Sequence, residues 1–121
     1  LAFASGYAEA NDIDNIFIGV NAVDYSGYPD CRPEFIKGFE KLINISTKIG
    51  IEGKKIKIKT PLINLSKGEI ISLGNRNGVE FSKTLSCYNP KFKKSCGLCD
   101  SCLLRKKGFE EASLIDPNED D

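Results

Sequence analysis

Histidine, tryptophan and methionine are absent from this chain of 121 residues, and its 17 basic side chains balance 17 acidic ones. Without histidine, a soft-metal ligand set must be all sulfur. The charge balance gives no global reason to expect a polyanion partner. No apolar run approaches the roughly eighteen residues that mark a membrane-crossing helix, and no secretory leader is evident. The expectation is a soluble, cytoplasmic protein with no membrane partner. The missing methionine and a start in mid-pattern, LAFASGYAEA, read as a fragment whose upstream part lies elsewhere. At this length the chain can bury one modest core, so one domain or part of one is expected.

What is present is cysteine at metal spacing. Eight residues separate Cys87 from Cys96, and two separate each of the pairs Cys96–Cys99 and Cys99–Cys102. Two Cys-x-x-Cys steps sharing a central thiol, plus a fourth thiol within a short loop, supply a tetrahedral sulfur set. Four thiolates around Zn2+ form a closed structural site with no open position for substrate. Disulfide-paired or simply buried cysteines are the plain alternative, but three thiols in this rhythm exceed what a redox Cys-x-x-Cys needs. Three cysteines at two-residue intervals also open the bacterial ferredoxin pattern, whose fourth thiol precedes proline. Here Leu103 and Leu104 follow Cys102 and no Cys-Pro pair exists, which disfavours an iron–sulfur cluster. An odd total of five cysteines fits a reducing compartment better than a disulfide framework. Cys31 stands alone in a polar loop and reads as a small packing residue more readily than as a nucleophile.

The balanced charge is locally uneven. Residues 83–107 carry Lys83, Lys91, Lys93, Lys94, Arg105, Lys106 and Lys107 against Asp100, and the tail then turns acidic from Glu110 to Asp121. The basic stretch could touch phosphate, but a solvated face around the metal loop accounts for it more simply.

Along the chain, residues 1–10 read as the end of a helix with a small-residue face, and 11–15 as a turn. The continuous apolar run Ile16–Val20 predicts a buried parallel strand. A polar loop over 21–32, rich in turn formers, follows it. Pro33 opens a helix whose stripe of Phe35, Ile36, Phe39, Leu42 and Ile43 runs to a stop near Gly50. Residues 54–59, KKIKIK, alternate strictly and predict an edge strand guarded by lysine. Ser66 and Glu69 form a capping-box signature for a helix through about Asn75, closed by Asn77-Gly78. Residues 82–98 are the metal loop, a last helix covers about 98–112, and 116–121 is expected to be disordered. Strands alternating with helices, with polar loops after the strands, predict an open α/β sheet with parallel strands. Ligands bind such sheets beyond the carboxyl ends of the strands, where the 21–32 loop is delivered.

Three blocks carry a resemblance: GVNAVDYSGYPDCRPEF at 19–35, TPLINLSKGEI at 60–70, and SCYNP with SCGLCDSCLLRKKGF across 86–109. Together they resemble the 7-cyano-7-deazaguanine synthases, queuosine-pathway enzymes of the PP-loop ATP pyrophosphatase group. The resemblance runs from about residue 2 to 117. It implies the C-terminal part of an open, mostly parallel PP-loop sheet, adenine nucleotide alpha hydrolase-like, over 1–81. A zinc-binding helical lobe over 82–115 and an acidic tail over 116–121 would follow. It also implies an ATP-dependent carbon–nitrogen ligase that makes a nitrile from 7-carboxy-7-deazaguanine and ammonia, and a homodimer. Cys87, Cys96, Cys99 and Cys102 match the family's zinc ligands one by one. The family's Ser-Gly-Gly phosphate loop has no counterpart here and would lie upstream of Leu1, so no catalytic residue is assigned and the fragment alone is expected to be inactive.

Asp24, Ser26, Tyr28, Asp30 and Arg32 are the candidate substrate-loop residues. Carboxylates accept from the donor edge of a deazaguanine, tyrosine can stack on its face, and Arg32 can pair with its carboxylate. Hydrogen bonding within the loop is the competing account of each. Lys67, in the first turn of its helix, is a candidate phosphate contact, with a solvent-facing lysine as the alternative. Two rival functions stay open: a zinc-bearing nucleic-acid-binding module, and a PP-loop ligase for another carboxylate. Against the first, the acidic tail would repel a polyanion and Tyr88 and Phe92 are the sole aromatics of the basic stretch. No direct nucleic-acid partner is therefore expected.

Overall fold

The computed structural model describes residues 1–23, 28–92 and 94–118 and divides the chain into two compact units, Leu1–Asn64 and Leu65–Asp121. The helix after Ser66 packs on the last helix and so falls within the second unit.

In the first unit the helix α1 (Ala2–Ala10) presents Ser5 and Ala8 inward and leaves Phe3 and Tyr7 exposed. The strand β1 (Asn15–Phe17) pairs in parallel with β2 (Lys57–Lys59), Ile16 opposite Ile58. Between them lie a 3-10 turn (Pro29–Cys31), the helix α2 (Pro33–Ser46) and the short helix α3 (Lys48–Ile51). The expected parallel pairing is present, but β1 is shorter than Ile16–Val20 and is not fully buried. Ile16, Ile18 and Val20 are half-buried while Phe17 is 72% exposed, so one face of the strand meets the core. The pairing continues loosely beyond β1, with Ile18 N–H donating to Lys59 O at 3.0 Å and Ala22 N–H to Ile63 O at 3.0 Å.

The core of this unit is Ala8, Ile36, Ile43, Ile49, Ile56 and Ile58, with Leu1, Ile16, Ile18, Val20 and Phe39 against it. Alternation on β2 turns Ile56 and Ile58 inward and the intervening lysines outward, as the pleat requires. Lysine is not the main guard of the β2 edge. Asn44 of α2 accepts from Ile56 N–H at 2.9 Å and donates to Ile56 O at 2.8 Å, mimicking a neighbouring strand. One helical turn earlier Glu40 accepts from Ile58 N–H at 2.8 Å and pairs with Lys57 at 3.4 Å. Two polar side chains of α2 thus satisfy the edge groups that would otherwise invite another strand.

The helix expected to run from Pro33 to near Gly50 is broken at Thr47, which is extended at φ −104°, ψ 149°. Its hydroxyl donates to Ile43 O at 2.7 Å and accepts from Gly50 N–H at 3.2 Å, ending α2 and capping α3 with one side chain. Gly50 permits the bend: a Cβ there would fall 2.2 Å from the Asn44 carbonyl oxygen.

In the second unit α4 (Lys67–Arg76) begins with the expected capping box. Ser66 Oγ accepts from Glu69 N–H at 3.2 Å, and Glu69 accepts from Ser66 N–H at 2.7 Å. A 3-10 turn (Phe81–Lys83) leads into the cysteine loop, and α5 (Asp100–Glu111) follows it. α5 is shorter than the expected 98–112 because Cys99 stands extended as its N-cap. Close approach of α4 and α5 rests on Gly108, where a Cβ would meet Lys67 Cγ at 2.5 Å and Ile71 Cδ1 at 2.9 Å. Phe81 meets Phe109 edge-on at 5.2 Å. Among the described residues of this unit the buried apolar side chains are Ile71, Cys87, Cys102 and Phe109, joined by the charged pair Arg105 and Asp116. Asp116 is therefore held in the fold, not in a loose tail; Glu119, Asp120 and Asp121 lie outside the described residues.

Candidate metal centre

Three of the four sulfurs come from one short segment. Gly97, at φ +70°, reverses the chain after Cys96, a conformation that glycine adopts without strain. Cys99 N–H then points back to Cys96 Sγ at 3.4 Å, and the first turn of α5 carries Cys102 to the same spot. Cys87 arrives from the other side of the loop. Lys91 and Lys94 exchange backbone hydrogen bonds of 3.0 and 2.9 Å, folding the loop on itself. Cys96 N–H consequently donates to Cys87 Sγ at 3.2 Å, and Asn89 N–H donates to it at 3.3 Å.

All four sulfurs lie within 4.8 Å of one another, with Cys87 and Cys102 buried and Cys96 and Cys99 half-buried. The five cysteines of the chain are free thiols, so no disulfide competes for this arrangement. Tetrahedral ligands bonded at about 2.3 Å stand about 3.8 Å apart. The Cys99–Cys102 and Cys96–Cys102 separations of 3.5 and 4.0 Å bracket that spacing. The four side chains can hold a single metal ion with little rearrangement.

The thiols are not equivalent. Backbone N–H groups of Leu98 and Cys99 hold Cys96 below the usual thiol range, helped by Cys87. The backbone N–H groups of Tyr88 and Cys102 bring Cys99 down to about 6. Burial pushes Cys102 up to about 12, with its hydrogen bond to Cys99 adding to the rise. At neutral pH the cluster thus offers ready thiolate at Cys99 and a proton at Cys102 that metal binding would displace.

The described lysines of the basic run are exposed, as a solvated face requires, and Arg105 alone among its described basic residues is buried. Lys83 pairs with Glu80 and Lys107 approaches Glu111 at 3.6 Å. Arg105 turns inward and meets Asp116 through two bonds, 2.5 Å from Nε and 2.7 Å from Nη2. Burial raises the Asp116 pKa, but the hydrogen bonds from Arg105 and Asn118 outweigh it and hold the carboxyl below its ordinary range. Its stabilising contribution is complete above the unfolded carboxylate pKa and is lost as pH falls through the lowered one. Neither partner was distinguishable in sequence from a surface charge.

Of the candidate substrate residues, Tyr28, Asp30 and Arg32 are exposed around the 3-10 turn that enters α2, with Arg32 at the N-cap. Asp24 and Ser26 lie outside the described residues. Lys67 is half-buried, its stem against Gly108 of α5. Two donors of that helix start are already engaged, Glu69 N–H by Ser66 and Gly68 N–H by Glu111 at 3.3 Å.

Comparison with known proteins extends these local features to the whole sequence. A family model described as "Queuosine biosynthesis protein QueC" matches residues 1–113. A 7-cyano-7-deazaguanine synthase from Saccharophagus degradans is 58% identical over 118 residues, 97% of this chain and 52% of that protein. One from Citrifermentans bemidjiense is 60% identical over 118 residues, again 97% and 52% of the two chains. One from Acetivibrio thermocellus is 60% identical over 116 residues, 96% of this chain and 52% of its own length. The chain spans about half the length of the curated relatives it matches. With residues 1–113 covered by the family model, the chain belongs to the QueC family of queuosine biosynthesis proteins.

Proposed function

We propose that this chain forms the zinc-bearing, base-recognising part of an ATP-dependent carbon–nitrogen ligase that converts 7-carboxy-7-deazaguanine and ammonia to 7-cyano-7-deazaguanine. The observation that carries the reading is the family match over residues 1–113 together with four sulfurs gathered within 4.8 Å. Zinc is the ion this donor set suits: four sulfurs, tetrahedral spacing and no position left for substrate make a structural rather than a catalytic site. Within the proposed reaction, a carboxylate oxygen leaves poorly until it is bonded to phosphate. ATP activates the carboxylate with loss of pyrophosphate, ammonia displaces the activated oxygen to give an amide, and a second activation lets the amide oxygen depart as the nitrile forms. The protein's share is to hold the reactants in line and stabilise developing charge.

The loop after β1, with Asp24, Ser26, Tyr28, Asp30 and Arg32, is the proposed contact for the deazaguanine. Support comes from its position after the carboxyl end of a parallel strand, where α/β sheets bind ligands. Lys67 is a weaker phosphate candidate, given its packing on α5. The PP-loop sheet, the nucleotide site, a homodimer and a cytoplasmic setting belong to the same proposal. Among the described residues no helix is long and apolar enough to cross a membrane.

The test joins this chain to the amino-terminal half of one of the relatives and follows pyrophosphate release. Release that requires both 7-carboxy-7-deazaguanine and ammonia is expected from the joined protein, and none from the chain alone. Turnover by the chain alone would overturn the division of labour. A folded, zinc-loaded joined protein with no turnover would overturn the activity.

A further inference from the structure

Cys96, Cys99 and Cys102 are placed by a tight turn and the first turn of α5, so their spacing is local. Cys87 enters from a separate stretch and must be brought to them. The segment that delivers it, residues 81–86, is held at several points by the Arg105 side chain. Arg105 Nη1 donates to Thr84 Oγ1 at 2.8 Å, to Thr84 O at 3.4 Å and to Ser86 Oγ at 3.5 Å, and Nη2 donates to Phe81 O at 3.3 Å. Ser101 Oγ adds a bond to Ser86 O at 2.6 Å.

Arg105 follows Cys102 by three residues on the same helix. The guanidinium and the Cys102 sulfur are thus carried by one rigid element. Whatever the guanidinium holds is held in register with that sulfur. A cavity of about 270 Å³ is lined by Cys96, Gly97, Cys102, Arg105, Asp116 and Asn118, so the ion pair and two of the sulfurs share its wall. Asp116 fixes the fork of Arg105 by two parallel bonds, a geometry a lysine cannot reproduce. Asn118 braces the same segment, donating to Phe81 O at 3.1 Å and Thr84 O at 2.8 Å.

A buried ion pair is weak evidence for stability, because desolvation offsets most of its attraction. What this one supplies is position. We propose that Arg105 and Asp116 are positioning residues for the metal centre, setting segment 81–86 so that Cys87 meets the other three sulfurs before an ion arrives. The inference rests on the zinc reading and adds to it a pair that touches no metal. Groups that orient ligands from outside the coordination sphere typically change metal affinity by roughly 10–100-fold when removed.

The test measures zinc affinity of the 121-residue chain by chelator competition, with the d–d absorption of the cobalt-substituted form as a report on ligand geometry. The variants are Asp116→Asn, Arg105→Lys and Thr84→Val, each checked for helix content by circular dichroism. Thr84→Val keeps the ion pair and removes the shortest of the bonds by which Arg105 holds the segment, so it decides the matter if either charge variant fails to fold. Expected are affinity losses of roughly 10-fold or more and an altered cobalt spectrum in the folded variants. Affinity within twofold of the parent in the folded variants, whatever happens to their melting temperatures, overturns the proposal. A parent chain that takes up no zinc sinks the metal reading itself and this inference with it.

Discussion

Residues 1–64 bury isoleucine, whereas residues 65–118 bury sulfur and charge. The first unit closes five isoleucines and an alanine around its two strands, and satisfies the exposed strand edge from α2. Such a core is held by area removed from water, at about 1.5–3 kcal/mol for each large aliphatic side chain. The second unit has Ile71 and Phe109 as its large buried apolar side chains among the described residues. Its remaining interior is two cysteines and an arginine–aspartate pair. A lobe with so little apolar interior needs a cross-link, and the sulfur cluster is placed to accept one. One unit is therefore closed by composition, while the other carries a sulfur set that could close it by ligation.

That contrast makes zinc removal the largest expected perturbation. Structural zinc sites bind with apparent free energies on the order of 10 kcal/mol, which becomes folding free energy wherever the metal-free site is unformed. Treating reduced, zinc-loaded chain with a strong chelator should release amide protection throughout 82–111 while α2 and β2 keep theirs. Hydrogen exchange resolved by segment reads both units at once. Equal loss in the two units, or none in the second, would break the contrast.

The converse perturbation is smaller and falls on the first unit. Ile56, immediately before β2, has no exposed surface and belongs to the isoleucine core. Ile56→Ala leaves a cavity and should cost about 2–5 kcal/mol of stability. Zinc stoichiometry should stay at one per chain, because no ligand is drawn from that unit. A variant that loses its zinc along with its core would show that the units do not stand separately.

The sulfur site was legible because its information is local: ligand spacing survives in one dimension. The same holds for the Ser66–Glu69 capping box and for the alternation that buries Ile56 and Ile58. What escaped depends on partners far apart in sequence. Arg105 and Asp116 each sit in a run of like charge, and nothing in either run marks them as a pair. Asn44 and Glu40 read as the polar face of a helix, although they complete a strand edge. Thr47 interrupts a good apolar stripe through a single hydroxyl, a local device that stripe periodicity overrides on paper. The resemblance named the family, but it could not assign Lys67 a ligand over its packing against Gly108.

The smallest perturbation asks whether the second unit is itself divided. α4 carries no sulfur ligand, yet it lies along α5, which carries Cys102. Ser66→Ala removes one half of the capping box and should cost about 1 kcal/mol. The effect should be confined to the first turn of α4, since Gly68 N–H keeps its bond to Glu111 and the Gly108 contact is untouched. Exchange should therefore quicken at residues 67–70, and zinc affinity should stay within twofold of the parent. An affinity loss as large as that expected for Asp116→Asn would mean that the frame of the metal centre begins at Ser66. The position of Cys87 would then depend on the α4–α5 packing, and Arg105 would be one support among several.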